Sequence, residues 1–353
     1  MRLKFKILFL LFLPSLVFAK GDQKSVRTLE KSLPANASNS FKLTNKYGRI
    51  TINIWDKNEI NAKVTITGFG RSESEAKEIA AAVVIEEGSE HGELSITTKY
   101  NPGTKSWIFG NNKNGKEYVN IDYVVYIPRK LKNVTLINNF GDVLAHELTS
   151  PTSLILNYCY FDITAADDLY GTMNYCDKGK IGKVNNTNLK INYSSFRLEA
   201  ANQMTMTSNN CDYKLGNIGT LNLKSNYDDF KLERAKKITV TGNYTDLNIG
   251  HLESEGSFNV NYSDINIKTS GSDFKSLLFS GNYSDVHMGI VKNLPVKIEG
   301  SFNYGEISTG GLSMKNVHTV KKGTKVEYSG TAGDGSVTMQ LKGNYSDVTL
   351  KTE

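Results

Sequence analysis

The sequence is poor in the residues that cross-linked, membrane-spanning or catalytic chains usually depend on. Of 353 residues, three are cysteine, six proline, five histidine and two tryptophan. Three thiols exclude a disulfide-dense scaffold, and an odd count argues against a disulfide framework. Beyond Phe18 no apolar run is long enough to span a bilayer, which excludes a polytopic membrane protein. No Lys/Arg cluster is interleaved with aromatics, so nucleic-acid binding has no electrostatic footprint. No His-Glu-x-x-His or Gly-x-Ser-x-Gly surrounds any histidine or serine. What is plentiful is glycine (30) and tyrosine (18), with 39% hydrophobic residues. That is too apolar for disorder and leans towards β structure.

Residues 1–19 read as a signal peptide. Arg2, Lys4 and Lys6 precede an apolar run from Ile7 to Phe18, and Val17 and Ala19 are the small residues required before cleavage. About twelve apolar residues cannot cross a hydrocarbon core of ~30 Å. The expected location is therefore outside the cytoplasm: periplasm, cell surface or medium. Three of the 42 basic residues lie in this leader, so the remainder exceeds the 36 acids by only three.

The rest of the chain is dominated by a repeat. Asn-Tyr-Ser-Asp or a close variant occurs eleven times between Asn139 and Asn344, first at steps of 17 or 18 and then at 21, 21 and 41. Apolar residues alternate up to the tetrad, slip by two, then alternate again: Leu221, Leu223, Tyr227, then Phe230 and Leu232. Period-2 alternation is the strand signal, and the slip marks a sharp bend between strands facing one core. Such a unit cannot bury its apolar side alone, so repeats must stack. The expected fold is mainly β: a β-solenoid of 17–21-residue rungs with an N-terminal α+β cap. A column formed by Tyr158, Tyr175, Tyr193, Tyr227, Tyr244, Tyr262, Tyr283, Tyr304 and Tyr345 is expected as an interior ladder, with asparagine columns at the bends. The 41-residue step is expected to hide a degenerate rung near Tyr328, and Gly343–Lys351 is expected to form an open final rung.

Residues 20–40 read as a loose polar leader, 41–127 as the cap, and 128–353 as the repeat domain. Within the cap, Ser72 and Glu75 form a capping box ahead of a helix over about 72–84. The Gly/Asn/Lys-rich segment Asn101–Lys116 carries Trp107, the best candidate for a contact surface on the cap.

Cys159, Cys176 and Cys211 fall where other repeats have serine, threonine or glycine, and read as small packing residues without the basic partner a nucleophile requires. Asp212, Asp229, Asp246, Asp264, Asp285, Glu306 and Asp347 follow one position later. Like charges one rung apart repel by ~0.8 kcal/mol in water and ~3 kcal/mol at an effective dielectric of 20. Lys214 and Lys231 are expected to offset Asp212 and Asp229. Asp246, Asp264, Asp285 and Glu306 have no such partner and are the candidate metal ligands, for Ca²⁺, against the simpler reading that each caps a backbone N–H. Catalytic residues are not expected: the acids recur evenly, and no unique cluster of acids with Arg or Lys stands out as in polysaccharide-processing β-helices.

Three stretches carry a resemblance. Tyr123-Val-Val-Tyr-Ile-Pro-Arg-Lys-Leu-Lys-Asn-Val-Thr-Leu with Asn139-Phe-Gly-Asp-Val, Asn45-Lys-Tyr-Gly-Arg-Ile-Thr-Ile and Asn303-Tyr-Gly-Glu-Ile are similar to the bacterial adhesin-like β-strand-repeat family. That family is a domain of unknown function related to candidate adhesins with a head-GIN domain. The resemblance covers roughly Phe41 to Thr352 and implies an exported β-helical envelope protein. It implies no catalytic residue, and leaves the envelope partner open between protein and glycan. The expected role is non-catalytic: an extended surface for adhesion or scaffolding. The alternatives are a calcium-stabilised binding module or a polysaccharide-processing enzyme.

Overall fold

The computed structural model describes residues 23–101 and 117–352. The signal peptide and Trp107 lie outside the described residues. The N-terminal part contains β1 (Gln23–Pro34), β2 (Ser40–Lys46), β3 (Ile50–Trp55), β4 (Glu59–Gly70), α1 (Glu73–Ala81), β5 (Val83–Glu90), β6 (Glu93–Tyr100) and β7 (Tyr118–Pro128). The helix is capped as its sequence dictates: the Ser72 hydroxyl accepts the Glu75 N–H at 3.2 Å, and Ala76, Ile79 and Ala80 face inward. It is shorter than expected, because Val83 is already the first residue of β5.

The leader is a correction. Residues 23–34 are not loose but form β1, antiparallel to β4 over its whole length from Gln23–Gly70 to Pro34–Glu59. The strand is polar on one face, which hides its signal, but Leu29 and Leu33 still pack against the core. Nor does the solenoid wait for residue 128. β2 and β3 already flank a bend at Tyr47, and both pair in parallel with β8 (Asn133–Leu148), so they form the first rung. β6 and β7 extend β2 and β3 on the other side, where β4 and β5 add antiparallel partners.

From there β9 (Thr152–Asn174), β10 (Gly179–Asn192), β11 (Ser195–Asn209), β12 (Asp212–Asn226), β13 (Asp229–Asn243) and β14 (Asp246–Asn261) stack in parallel. Partners are 17 or 18 residues apart; Leu215 lies beside Leu232, and Leu223 beside Val240. A single bulge between Ala235 and Lys237 absorbs the change from 17 to 18. Each rung contributes four or more large buried side chains, such as Leu221, Leu223, Phe230 and Leu232. At roughly 1.5–3 kcal/mol per buried side chain, that burial is what holds a rung against chain entropy.

The C-terminal part consists of β15 (Ile265–Ser270), β16 (Ser276–Asn282), β17 (Val286–Ile290), β18 (Val296–Asn303), β19 (Ile307–Ser308), β20 (Lys315–Lys322), β21 (Lys325–Thr331), β22 (Val337–Asn344) and β23 (Val348–Thr352). Here the stacking order departs from the chain order. β22 lies between β16 and β18, parallel to both, and β23 lies between β17 and β19. The final rung is therefore not open: it is inserted between two earlier ones. The expected rung at Tyr328 is instead β21, running antiparallel to β18 and paired with β20 in a hairpin at the end of the stack. The outer strand β20 exposes Lys315, Lys321 and Lys322, charges that discourage edge pairing.

Candidate binding surface

The bends place every conspicuous column of the repeat. At each one the tyrosine adopts a left-handed backbone, with φ between 50° and 56° from Tyr158 to Tyr345. That conformation costs a non-glycine residue roughly 1–2 kcal/mol. It also inverts the side-chain alternation, so the ring turns outward and the following small residue turns inward.

The tyrosine ladder is therefore corrected in one respect: it lies outside the solenoid. The nine rings are 43–58% exposed. Yet they stack, in two runs. Phe140, Tyr158, Tyr175 and Tyr193 follow one another at 4.8–5.1 Å between centroids. Tyr227, Tyr244, Tyr262, Tyr283, Tyr345 and Tyr304 do so at 4.5–5.0 Å, with planes within 3–4°. Tyr345 sits between Tyr283 and Tyr304 because its rung is the inserted one. Beside the rings runs an amide ladder. Asn157 donates to Asn139, Asn174 to Asn157 and Asn192 to Asn174 at 2.8–2.9 Å, and Asn243, Asn261, Asn303 and Asn344 continue the pattern. Side chains engaged in this way account for the strict recurrence of the asparagine.

The inward column holds Cys159, Cys176, Ser194, Cys211, Asp228, Thr245, Ser263, Ser284 and Ser346, all buried. The three cysteines are free thiols. Burial pushes their pKa values up, that of Cys176 to about 11, which suppresses thiolate chemistry. The serines of the column accept the N–H of the column residue one rung earlier: Ser194 from Cys176, Ser263 from Thr245, Ser284 from Ser263. Asp228 is the exception in charge and was not singled out by its sequence context. Its Oδ1 accepts the Cys211 N–H at 2.8 Å, and its Oδ2 accepts the Ser208 and Ser225 hydroxyls, both at 2.5 Å. Desolvation nevertheless raises its pKa above the ordinary carboxylate range.

The acid column stacks Asp212, Asp229 and Asp246, then runs through Asp264, Asp285 and Asp347 to Glu306. Asp347 thus separates Asp285 from Glu306. The carboxylates are used by the backbone of the adjoining rung: Asp285 accepts the Asp347 N–H at 2.8 Å, and Asp347 accepts the Glu306 N–H at 2.9 Å. Among the described residues no three His, Cys, Asp or Glu side chains gather as a metal-ligand set. The expected Asp–Lys compensation is also absent: among the described residues no ion pair joins Asp212 to Lys214 or Asp229 to Lys231. Register stacks like on like, and residues two apart on one strand are separated by about 6.6 Å.

Those lysines instead line a groove of about 1110 Å³ along the second strand of successive rungs. Arg197, Lys214 and Lys231 stand one above another there, followed by Asn248, Asn266 and His287. No described helix is long and apolar enough to cross a membrane.

No family model and no curated protein matches the chain. Among solved structures it is similar to a candidate adhesin from Parabacteroides merdae, with a TM-score of 0.35 and 10% identity over 92% of this chain and 96% of that one. A candidate adhesin from Parabacteroides distasonis has a TM-score of 0.33 and 14% identity over 74% of this chain and 97% of that one. A candidate cell adhesion protein from Clostridium sporogenes has a TM-score of 0.24 and 13% identity over 93% of this chain and 100% of that one.

Proposed function

We propose that this chain is an exported, non-catalytic β-solenoid that presents an extended regular surface at the cell envelope for adhesion or scaffolding. The observation that carries this reading is the outward tyrosine column. Phe140 and the nine outward tyrosines, with Tyr47 stacked on Phe140, form an exposed aromatic stripe in two runs, and stripes of this extent are characteristic of interaction sites. The rings are held by their neighbours, so a partner meets a surface that is already ordered and loses little entropy in engaging it. The partner is an envelope protein or glycan, and Trp107 remains a second candidate contact on the cap.

The test is binding of the full exported chain to whole cells and to a glycan array. A Tyr244→Ser/Tyr262→Ser double variant, and separately a deletion of residues 101–116, should lose binding according to which surface is used. Retention of full binding by the double variant would remove the tyrosine column from the account.

A further inference from the structure

We propose that the break in the tyrosine column at Asn210 is a socket for a planar cation, the guanidinium of an arginine side chain carried by a partner protein. The inference does not depend on the adhesive role.

The argument begins with what is unchanged at that rung. Asn210 has φ 55°, the value of the tyrosines on either side, and its N–H reaches the Asn226 carbonyl at 3.0 Å as Tyr193 and Tyr227 reach theirs. The bend is therefore intact and only the ring is missing. Tyr193 and Tyr227 are two rung spacings apart, about 9.6 Å, and the level between them holds only the short, exposed Asn210 side chain, which leaves the place of a ring vacant. Tyr193 has a stacked neighbour on one side only, as does Tyr227, and Tyr227 is the most exposed member of the column at 58%.

A shallow, open depression runs along the column here, lined by Tyr158, Tyr175, Tyr193, Asn210 and Tyr227 and by the carboxylate residues Asp177, Asp212 and Asp229. Among the described residues none of these three carboxylates is in an ion pair; Asp177 accepts only the Ser195 hydroxyl. A flat group at the vacant level would lie about 4.8 Å from each ring, inside the ~6 Å over which a cation is attracted to an aromatic face. A neutral ring would fill the slot but leave the carboxylates uncompensated. An ammonium would meet the carboxylates but cannot stack. A guanidinium does both, with N–H groups in its plane directed at the rim.

The experiment is a titration of the full chain with N-acetyl-arginine methylamide, followed by the ring signals of Tyr193 and Tyr227. Saturable binding is expected, weakened by salt, with the lysine analogue and a neutral benzyl amide each at least about threefold weaker. Asn210→Tyr completes the column and should weaken binding at least about tenfold while leaving the melting temperature unchanged or higher. Asp212→Asn/Asp229→Asn tests the rim independently and should weaken binding at least about threefold. No saturable binding, undiminished binding by Asn210→Tyr, or equal binding of the lysine or benzyl analogue would overturn the proposal. Because Tyr283 and Tyr345 are separated from Tyr227 by the rings of Tyr244 and Tyr262, a Tyr283→Ser/Tyr345→Ser variant should bind arginine normally even where cell binding is lost, which separates this inference from the adhesive reading.

Discussion

Replacing Asp228 by serine should stabilise this protein at neutral pH. Every other residue of the inward column is uncharged, and Asp228 is only 4% exposed. Three hydrogen bonds support its carboxylate, yet desolvation outweighs them and holds its pKa above the unfolded value of about 3.9. The sign follows directly: a carboxyl whose folded pKa is raised lends stability below the unfolded pKa, and that stability is lost as pH rises through the folded pKa. The other titratable groups beside it are the Cys211 thiol and the Tyr213 phenol, neither of which is charged in this range. Serine would keep the Cys211 N–H bond, as Ser263 does for Thr245, and Ser225 would keep its 2.9 Å contact with Thr245. Ser208 and Ser225 would each lose a bond to the carboxylate, at about 1 kcal/mol each. Once the carboxyl is ionised, relief of its desolvation is expected to outweigh these losses, so a higher Tm for the variant is expected near pH 7. The assay is thermal unfolding of both proteins from pH 4 to pH 8. Their difference should grow with pH and then level off. A variant less stable at every pH, or a difference that does not change with pH, would refute the reasoning.

Other outcomes follow from the same columns. Gly141→Ala should destabilise by about 3 kcal/mol or more in denaturant unfolding, because an added Cβ would fall 1.9 Å from the Gly48 carbonyl oxygen. Asn243→Ala removes one amide bond to Asn226 and another from Asn261 and should cost about 1–3 kcal/mol by the same measurement. Native Cys176 should resist alkylation at pH 8 and react promptly once the chain is unfolded, its pKa of about 11 and its burial both acting against it. Excess Ca²⁺ and chelator should give the same Tm, since the Asp285 and Asp347 carboxylates already accept backbone N–H groups; a rise with Ca²⁺ would restore the calcium reading.

The stacking of rungs was legible because it is written in spacing: a step of 17 or 18 with fixed alternation leaves one in-register arrangement. The direction of the rings was not. Leu223, Ser225 and Tyr227 share parity, which places the tyrosine inside if the strand continues unbroken. The left-handed turn at the tyrosine breaks that parity. The signal that could have revealed it was the residue after each tyrosine, which is always small or polar enough to be buried at a close approach, as Ser263, Ser284 and Ser346 are. Insertion of β22 and β23 could not be read from local pattern. Spacing records neighbours along the chain, whereas Asn282 and Asn344 become neighbours only in space. The same limit hid β1, whose alternation is mostly polar and whose pairing with β4 supplies its order.

The most direct test is oxidative cross-linking of cysteines placed on partner strands. Lys224 and Thr241 lie side by side on neighbouring rungs, both exposed. Lys224→Cys/Thr241→Cys should form a disulfide readily, since the rung spacing of about 4.8 Å lies within the Cα range a disulfide accepts. Lys224→Cys/Asn259→Cys, two rungs apart, should not. Cross-linking of the second pair, or failure of the first, would mean that the windings do not lie parallel and in register.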